Sequence, residues 1–128
     1  MNSFLKGIGV DIVEISRITL AIERQGKPFI DRVFLKSEQA YCDPHRQPAR
    51  SYAARFAAKE AMAKAFGTGI GASVSWLDIE VCRTDAGAPF IVLHGTAAKT
   101  AQERGVTQIF LSLSHSEHYA VANVVLAG

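Results

Sequence analysis

The sequence predicts an α+β domain, on three observations. Two pairs of strand-like segments are each joined by a short connection, which reads as antiparallel hairpins. An alanine-rich stretch from about 49 to 66 is strongly helical and stops at Gly67. Helices and hairpins are mixed along the chain without a strict strand-helix alternation, which argues against a doubly wound α/β sheet. At 128 residues the chain suits one compact domain, 1–128.

The elements follow in order. "KGIGVDIVEI" alternates, with Ile8, Val10 and Ile12 on one face and Gly7, Gly9, Asp11 and Val13 on the other. The two glycines let another element or a ligand come close to the Asp11 face. "EISRITLAIERQG" places Ile15, Ile18 and Ile22 at helical spacing and ends on Gly26, a C-cap candidate. "KPFIDRVFL" reads as a short turn or helical piece. Ser37 with Glu38 starts another short helix that ends near Asp43-Pro44, and "PHRQP" is a loop. After the long helix comes the glycine-rich loop "GTGIGAS". "WLDIEVCR" and "PFIVLH" form a hairpin through "TDAGA". "GTAAKTAQERG" is a short, glycine-stopped helix. "QIFLSLSH" and "YAVANVVLA" pair across "HSEH".

Composition narrows the function classes. No apolar run approaches the ~20 residues that span a bilayer, so no membrane association is expected. Residues 1–6 show no long apolar core and no A-x-A site, so no signal peptide is expected. Cys42 and Cys82 form no C-x-x-C pair and suit a reduced, cytoplasmic protein. Charge is uneven: residues 1–64 carry eleven Lys/Arg and seven Asp/Glu, residues 65–128 three and five. The basic half suits an anionic partner or is a solvated face. Aromatics do not interleave with the basic residues, so no nucleic-acid partner is expected. G-x-S-x-G, H-E-x-x-H and zinc-type Cys/His spacings are lacking, which disfavours a serine hydrolase or a zinc enzyme.

Two carboxylates draw attention. Asp11 sits between Val10 and Ile12 on an apolar strand, where it points outward, caps the next helix or binds a cation. Glu60 lies within about 60° of Ala53, Phe56, Ala63 and Gly67 on the helical wheel, an apolar arc. Lys64, one turn on, makes either an ordinary i,i+4 surface pair with it or the phosphate-side partner of a metal-holding acid. Carboxylates from separate elements, completed by substrate phosphates, are a common way to hold Mg²⁺. Backbone N–H groups of "GTGIG" could meet phosphate oxygens, or the glycines simply cap the helix. Ser114 and His115 stand at a strand end, as site residues or merely exposed ones.

The segments "GIGVDIVEISR" (7–17), "FAAKEAMAKAFGTGIG" (56–71) and "LSHSEHYAVANVV" (113–125) together resemble the three signatures of the holo-[acyl-carrier-protein] synthase family, the small class of 4′-phosphopantetheinyl transferases. The resemblance covers nearly the whole chain. It implies an antiparallel sheet packed against a long central helix. It implies transfer of the phosphopantetheine arm of coenzyme A to a serine of an acidic acyl carrier protein, with release of adenosine 3′,5′-bisphosphate, in support of fatty acid biosynthesis. By motif, Asp11 and Glu60 would be the Mg²⁺ ligands and Lys64 the phosphate-side lysine, with Lys59 a less certain neighbour. Arg55, Lys64, Gly67, Ser114 and His115 would bind coenzyme A, with Arg46 and Arg50 further candidates for its 3′-phosphate. Arg17 and Arg24, seven apart on one helix face, would dock the carrier protein, with Lys27 and Arg32 extending the patch. The family also implies a homotrimer with active sites between protomers. Two other classes compete: a metal-dependent pyrophosphohydrolase acting on nucleotides, which would use the same carboxylates and basic residues but not the basic face of the first helix, and a non-catalytic module that recognises an acidic protein through the first helix, with Asp11 and Glu60 structural.

Overall fold

The computed structural model describes residues 4–128. The N-terminal reading falls partly on residues 1–3, which lie outside the described residues. The chain runs β1 (Leu5–Glu14), α1 (Ile15–Gln25), α2 (Lys27–Val33), α3 (Lys36–Cys42), α4 (Pro48–Ala65), a 3₁₀ turn (Trp76–Asp78), β2 (Ile79–Arg83), β3 (Pro89–Leu93), α5 (Gly95–Glu103), β4 (Gln108–His115) and β5 (Tyr119–Ala127). The strands form two antiparallel sheets, β1-β5-β4 and the β2-β3 hairpin. The α+β class and the antiparallel pairing are as the sequence predicts, and the pairing is divided between two sheets.

Alanine makes α4 the centre of the molecule. Ala53, Ala57, Ala58, Ala61 and Ala63 are buried without remainder, so strands and helices pack close to its backbone. The closest approach is at β1. A Cβ built on Gly9 would stand 2.0 Å from the Ala61 carbonyl oxygen, and one on Gly7 2.1 Å from that of Ala65. Only glycine lets the strand lie this near the helix. The element that approaches the Asp11 face is therefore α4 itself.

The other face of the same sheet is open. Ile8, Val10 and Ile12 of β1 and Phe110 of β4 are 71%, 59%, 62% and 54% exposed. Register lines them up: Ile8 and Phe110 flank Val125, and Ile12 and Ser114 flank Val121. The period-2 pattern of β1 thus separates a glycine face that meets the core from an apolar face that the described residues leave mostly exposed.

The shorter helices end where the sequence indicates. Gly26 takes φ +64° and its N–H donates to the Ile22 carbonyl, closing α1. "KPFIDRVFL" resolves into α2, with Phe29 and Val33 buried. Among the described residues no helix is long and apolar enough to cross a membrane.

Candidate active site

Gly7 and Gly9 set the height of β1 above α4, and Asp11 comes next on the same face. Helical side chains lean toward the N-terminus of their helix. Lys64 reaches back that way: its Nζ lies 2.9 Å from Asp11 Oδ1 and donates also to the Val10 carbonyl at 3.3 Å. The Asp11 side chain is 14% exposed and that of Lys64 49%. Asp11 does not cap α1, whose N-cap position is Glu14.

Glu60 lies one turn before Lys64 and does not take it as an i,i+4 partner. Burial pushes its carboxyl above the usual carboxylate range, the charge of Asp11 pushes it further, and Lys64 only partly offsets this. Among the described residues no hydrogen-bond donor reaches Glu60. Asp11 from β1 and Glu60 from α4 are close enough to feel each other's charge, and the ammonium of Lys64 is held by Asp11. Their hard oxygens and unbalanced charge fit a Mg²⁺-sized cation that takes its other ligands from water and phosphate. Among the described residues there is no cluster of three or more Asp, Glu, His or Cys suited to a metal.

Gly67 closes α4 at φ +78° and opens the glycine loop, with Thr68 and Gly69 N–H groups donating to the Ala63 carbonyl. Arg104, from the end of α5, donates to the Phe66 carbonyl and lies over the Phe66 ring. This clasp of the helix end spans 38 positions, and nothing local in the sequence signals it.

The other predicted residues lie apart. His115 ends β4 on the same sheet face as Asp11, but two strands away, across β5. Ser114 alternates to the outer face beside Val121. Arg17 and Arg24 are exposed on α1, which runs on directly from β1, and among the described residues neither has an ion-pair partner. Lys27 pairs with Asp31 at 3.0 Å, which offsets its charge, whereas Arg32 donates to the neutral Gln25 at 3.0 Å and keeps its own.

Arg55 corrects an expectation. Its side chain is 2% exposed, with the guanidinium 4.0 Å from the Tyr41 ring centroid and Nε without a partner. It is held in the core and does not present itself to a solvent-borne phosphate. Arg46 and Arg50, with His45, Gln47 and Ser51, instead line a pocket of about 320 Å³ at the start of α4. Lys59 is also removed from the site. It is fully buried, 2.8 Å from Glu38 Oε1, and donates to the carbonyls of Trp76 and Ile79. Glu38, its partner, carries no sequence signal beyond a helix start.

The family comparison decides what this arrangement belongs to. Residues 7–124 match the model of the 4′-phosphopantetheinyl transferase superfamily. The chain is 48% identical to the holo-[acyl-carrier-protein] synthase of Koribacter versatilis over 94% of this chain and 96% of that one. The chain belongs to the holo-[acyl-carrier-protein] synthase family. It is an enzyme of that transferase class. The synthase of Neisseria meningitidis superposes with a TM-score of 0.91 at 35% identity, covering 97% of this chain and 99% of that one. The synthase of Bacillus anthracis, solved in complex with CoA (3′,5′-ADP), superposes with a TM-score of 0.83 at 37% identity, covering 98% and 99%.

Proposed function

We propose that this enzyme transfers the 4′-phosphopantetheine arm of coenzyme A to a serine of an acidic acyl carrier protein and releases adenosine 3′,5′-bisphosphate. The observation that supports the reading is the Asp11–Lys64 pair, whose carboxylate charge is felt by Glu60 one turn before Lys64 on α4. Asp11 and Glu60 would hold Mg²⁺, whose charge, when bound, would offset that developing on the pyrophosphate. Lys64 would give its ammonium to a phosphate oxygen. His115 and the loop from Gly67 would line the coenzyme A site of their own protomer, and Ser114, on the outer face, that of a neighbour. Arg46 and Arg50 would take the 3′-phosphate, since both line one pocket and Arg50 Nε is buried without a partner. Arg17 and Arg24, exposed and unpaired, would meet the acidic carrier protein and mainly speed its encounter. A cytoplasmic role in fatty acid biosynthesis is the setting this activity serves.

The open apolar face of β1-β5-β4 supports the homotrimer. Three large aliphatic side chains of β1 in one row, each more than half exposed, are costly to leave in water. A neighbouring copy would cover them and bring its own residues, Ser114 among those on this face, toward the next active site. Light scattering should give a trimer for the wild-type chain and a monomer for V10D.

The test of the reaction is a mass spectrum of apo carrier protein incubated with coenzyme A, Mg²⁺ and enzyme. A gain of one phosphopantetheine arm is expected, and at least about a 100-fold slower gain with D11N. No gain with any of several carrier proteins would overturn the reading. Release of adenosine bisphosphate without carrier protein would favour the hydrolase.

A further inference from the structure

Lys64 touches two hard oxygen acceptors, the Asp11 carboxylate at 2.9 Å and the Val10 carbonyl at 3.3 Å. These are the kinds of atoms a divalent cation takes as ligands. The ammonium therefore stands where a metal bound by Asp11 would stand. Among the described residues its charge is the one that partly offsets the cost of ionising Glu60. An ammonium and a divalent cation cannot both sit against Asp11 Oδ1 without strong like-charge repulsion. Lys64 is free to leave: half its side chain is exposed, on a flexible four-carbon stem. Lys59, five positions earlier, is the internal contrast, with no exposure and three fixed acceptors.

We infer that the Lys64 ammonium is a resident stand-in for the metal, displaced from Asp11 when metal binds and received by the phosphates of coenzyme A, so that this side chain adds to the coupling between metal and coenzyme A beyond any phosphate ligand to the metal itself. The inference rests on the proposed reading of Asp11 and Glu60 as the metal pair. Without coenzyme A, metal binding must break the Lys64–Asp11 pair and strand the ammonium. With coenzyme A present, the pyrophosphate takes it. Each ligand then raises the affinity for the other by the same factor.

Mn²⁺ titrations followed by electron paramagnetic resonance test this on the intact protein. Without coenzyme A, K64M should bind Mn²⁺ roughly tenfold more tightly than wild type. Saturating coenzyme A should tighten Mn²⁺ binding roughly tenfold in wild type and far less in K64M. K64M binding no tighter than wild type, or keeping the full effect of coenzyme A, overturns the inference. D11N and E60Q distinguish the two levels: if both bind Mn²⁺ like wild type, the metal pair itself is wrong. A second measurement needs no variant. Acetylation of Lys64, mapped by mass spectrometry, should rise several-fold on adding Mn²⁺ relative to the exposed Lys99, and an unchanged rate overturns the displacement.

Discussion

Lys59 and Lys64 stand five positions apart on α4, and each pairs with a carboxylate from another element. At Lys59 every polar group is matched. Glu38 Oε1 accepts from Lys59 and from the Leu35 N–H, Oε2 accepts from the Val81 N–H, and Lys59 donates to two carbonyls besides. At Lys64 the charges do not close, because one ammonium serves two carboxylates and Glu60 is left without a donor. The first site ties α3, α4 and β2 into one body. The second keeps an unmet demand for positive charge at a place where the helix end and the strand are fixed. A saturated buried pair has nothing left with which to bind a ligand, whereas an unsaturated half-buried one does. Lys59 is locked in place and Lys64 is left half-exposed, on the same 18-residue helix.

The comparison breaks most visibly at Lys59. K59M would leave the Glu38 carboxylate buried without its cation, and removal of one partner of such a pair costs about 3–5 kcal/mol. Urea unfolding should show a loss of this size, or no folded protein. E38Q/K59M should recover part of it, since no charge remains buried at this pair, although the amide oxygen can accept from only one of the Leu35 and Val81 N–H groups. Burial lowers the pKa of Lys59, and the charges of Glu38 and, to a lesser extent, Glu80 partly offset this. If K59M is as stable as wild type, the structural assignment of this pair fails.

Next comes the spacing that brings Asp11 to Lys64. G9A places a methyl group 2.0 Å from the Ala61 oxygen, and β1 must shift away from α4. Such overpacking costs about 1–3 kcal/mol. The shift moves Asp11 but not Glu38, so transfer should fall by about 100-fold while the Lys59 pair is untouched. Transfer kinetics beside a urea curve would separate the two effects. Activity that falls only in proportion to the folded fraction would contradict the role given to this close approach.

How much of this was legible in the chain differs by residue. The period-2 pattern of β1, the Gly26 and Gly67 stops and the alanine-rich helix are local, and they read correctly. The glycine face foretold a close neighbour without saying which one. Alternation already sends Ser114 and His115 to opposite faces of their strand, although as sequence neighbours they looked like one group. Glu38 and Arg104 were invisible because their meaning is a contact: Glu38 with Lys59 and with Val81, 43 positions on, and Arg104 with Phe66. Arg55 misled for a related reason. α4 is buried on most sides, so a basic residue on it, as Arg55 and Lys59 show, need not mark a solvent face, and a motif position says nothing about whether a guanidinium faces ligand or core.

The smallest effect tests the unsaturated site through stability alone. The native pKa of Glu60 is raised by burial and by Asp11. The folded chain therefore holds this proton more tightly than the unfolded chain does. Between the ordinary value of 4.5 and the raised native value, stability falls as pH rises, and above the native value the whole cost is present. E60Q removes the charge and keeps the shape. Its Tm should equal or exceed that of wild type at pH 7, with the advantage shrinking as pH falls through the native pKa of Glu60. Mg²⁺ should raise the Tm of wild type and leave that of E60Q nearly unchanged, because only the ionised pair gains from the cation. A Tm for E60Q well below wild type at pH 7 would mean that Glu60 is a stabilising surface acid. The contrast with Glu38, where loss of the carboxylate's partner is severe, would then collapse.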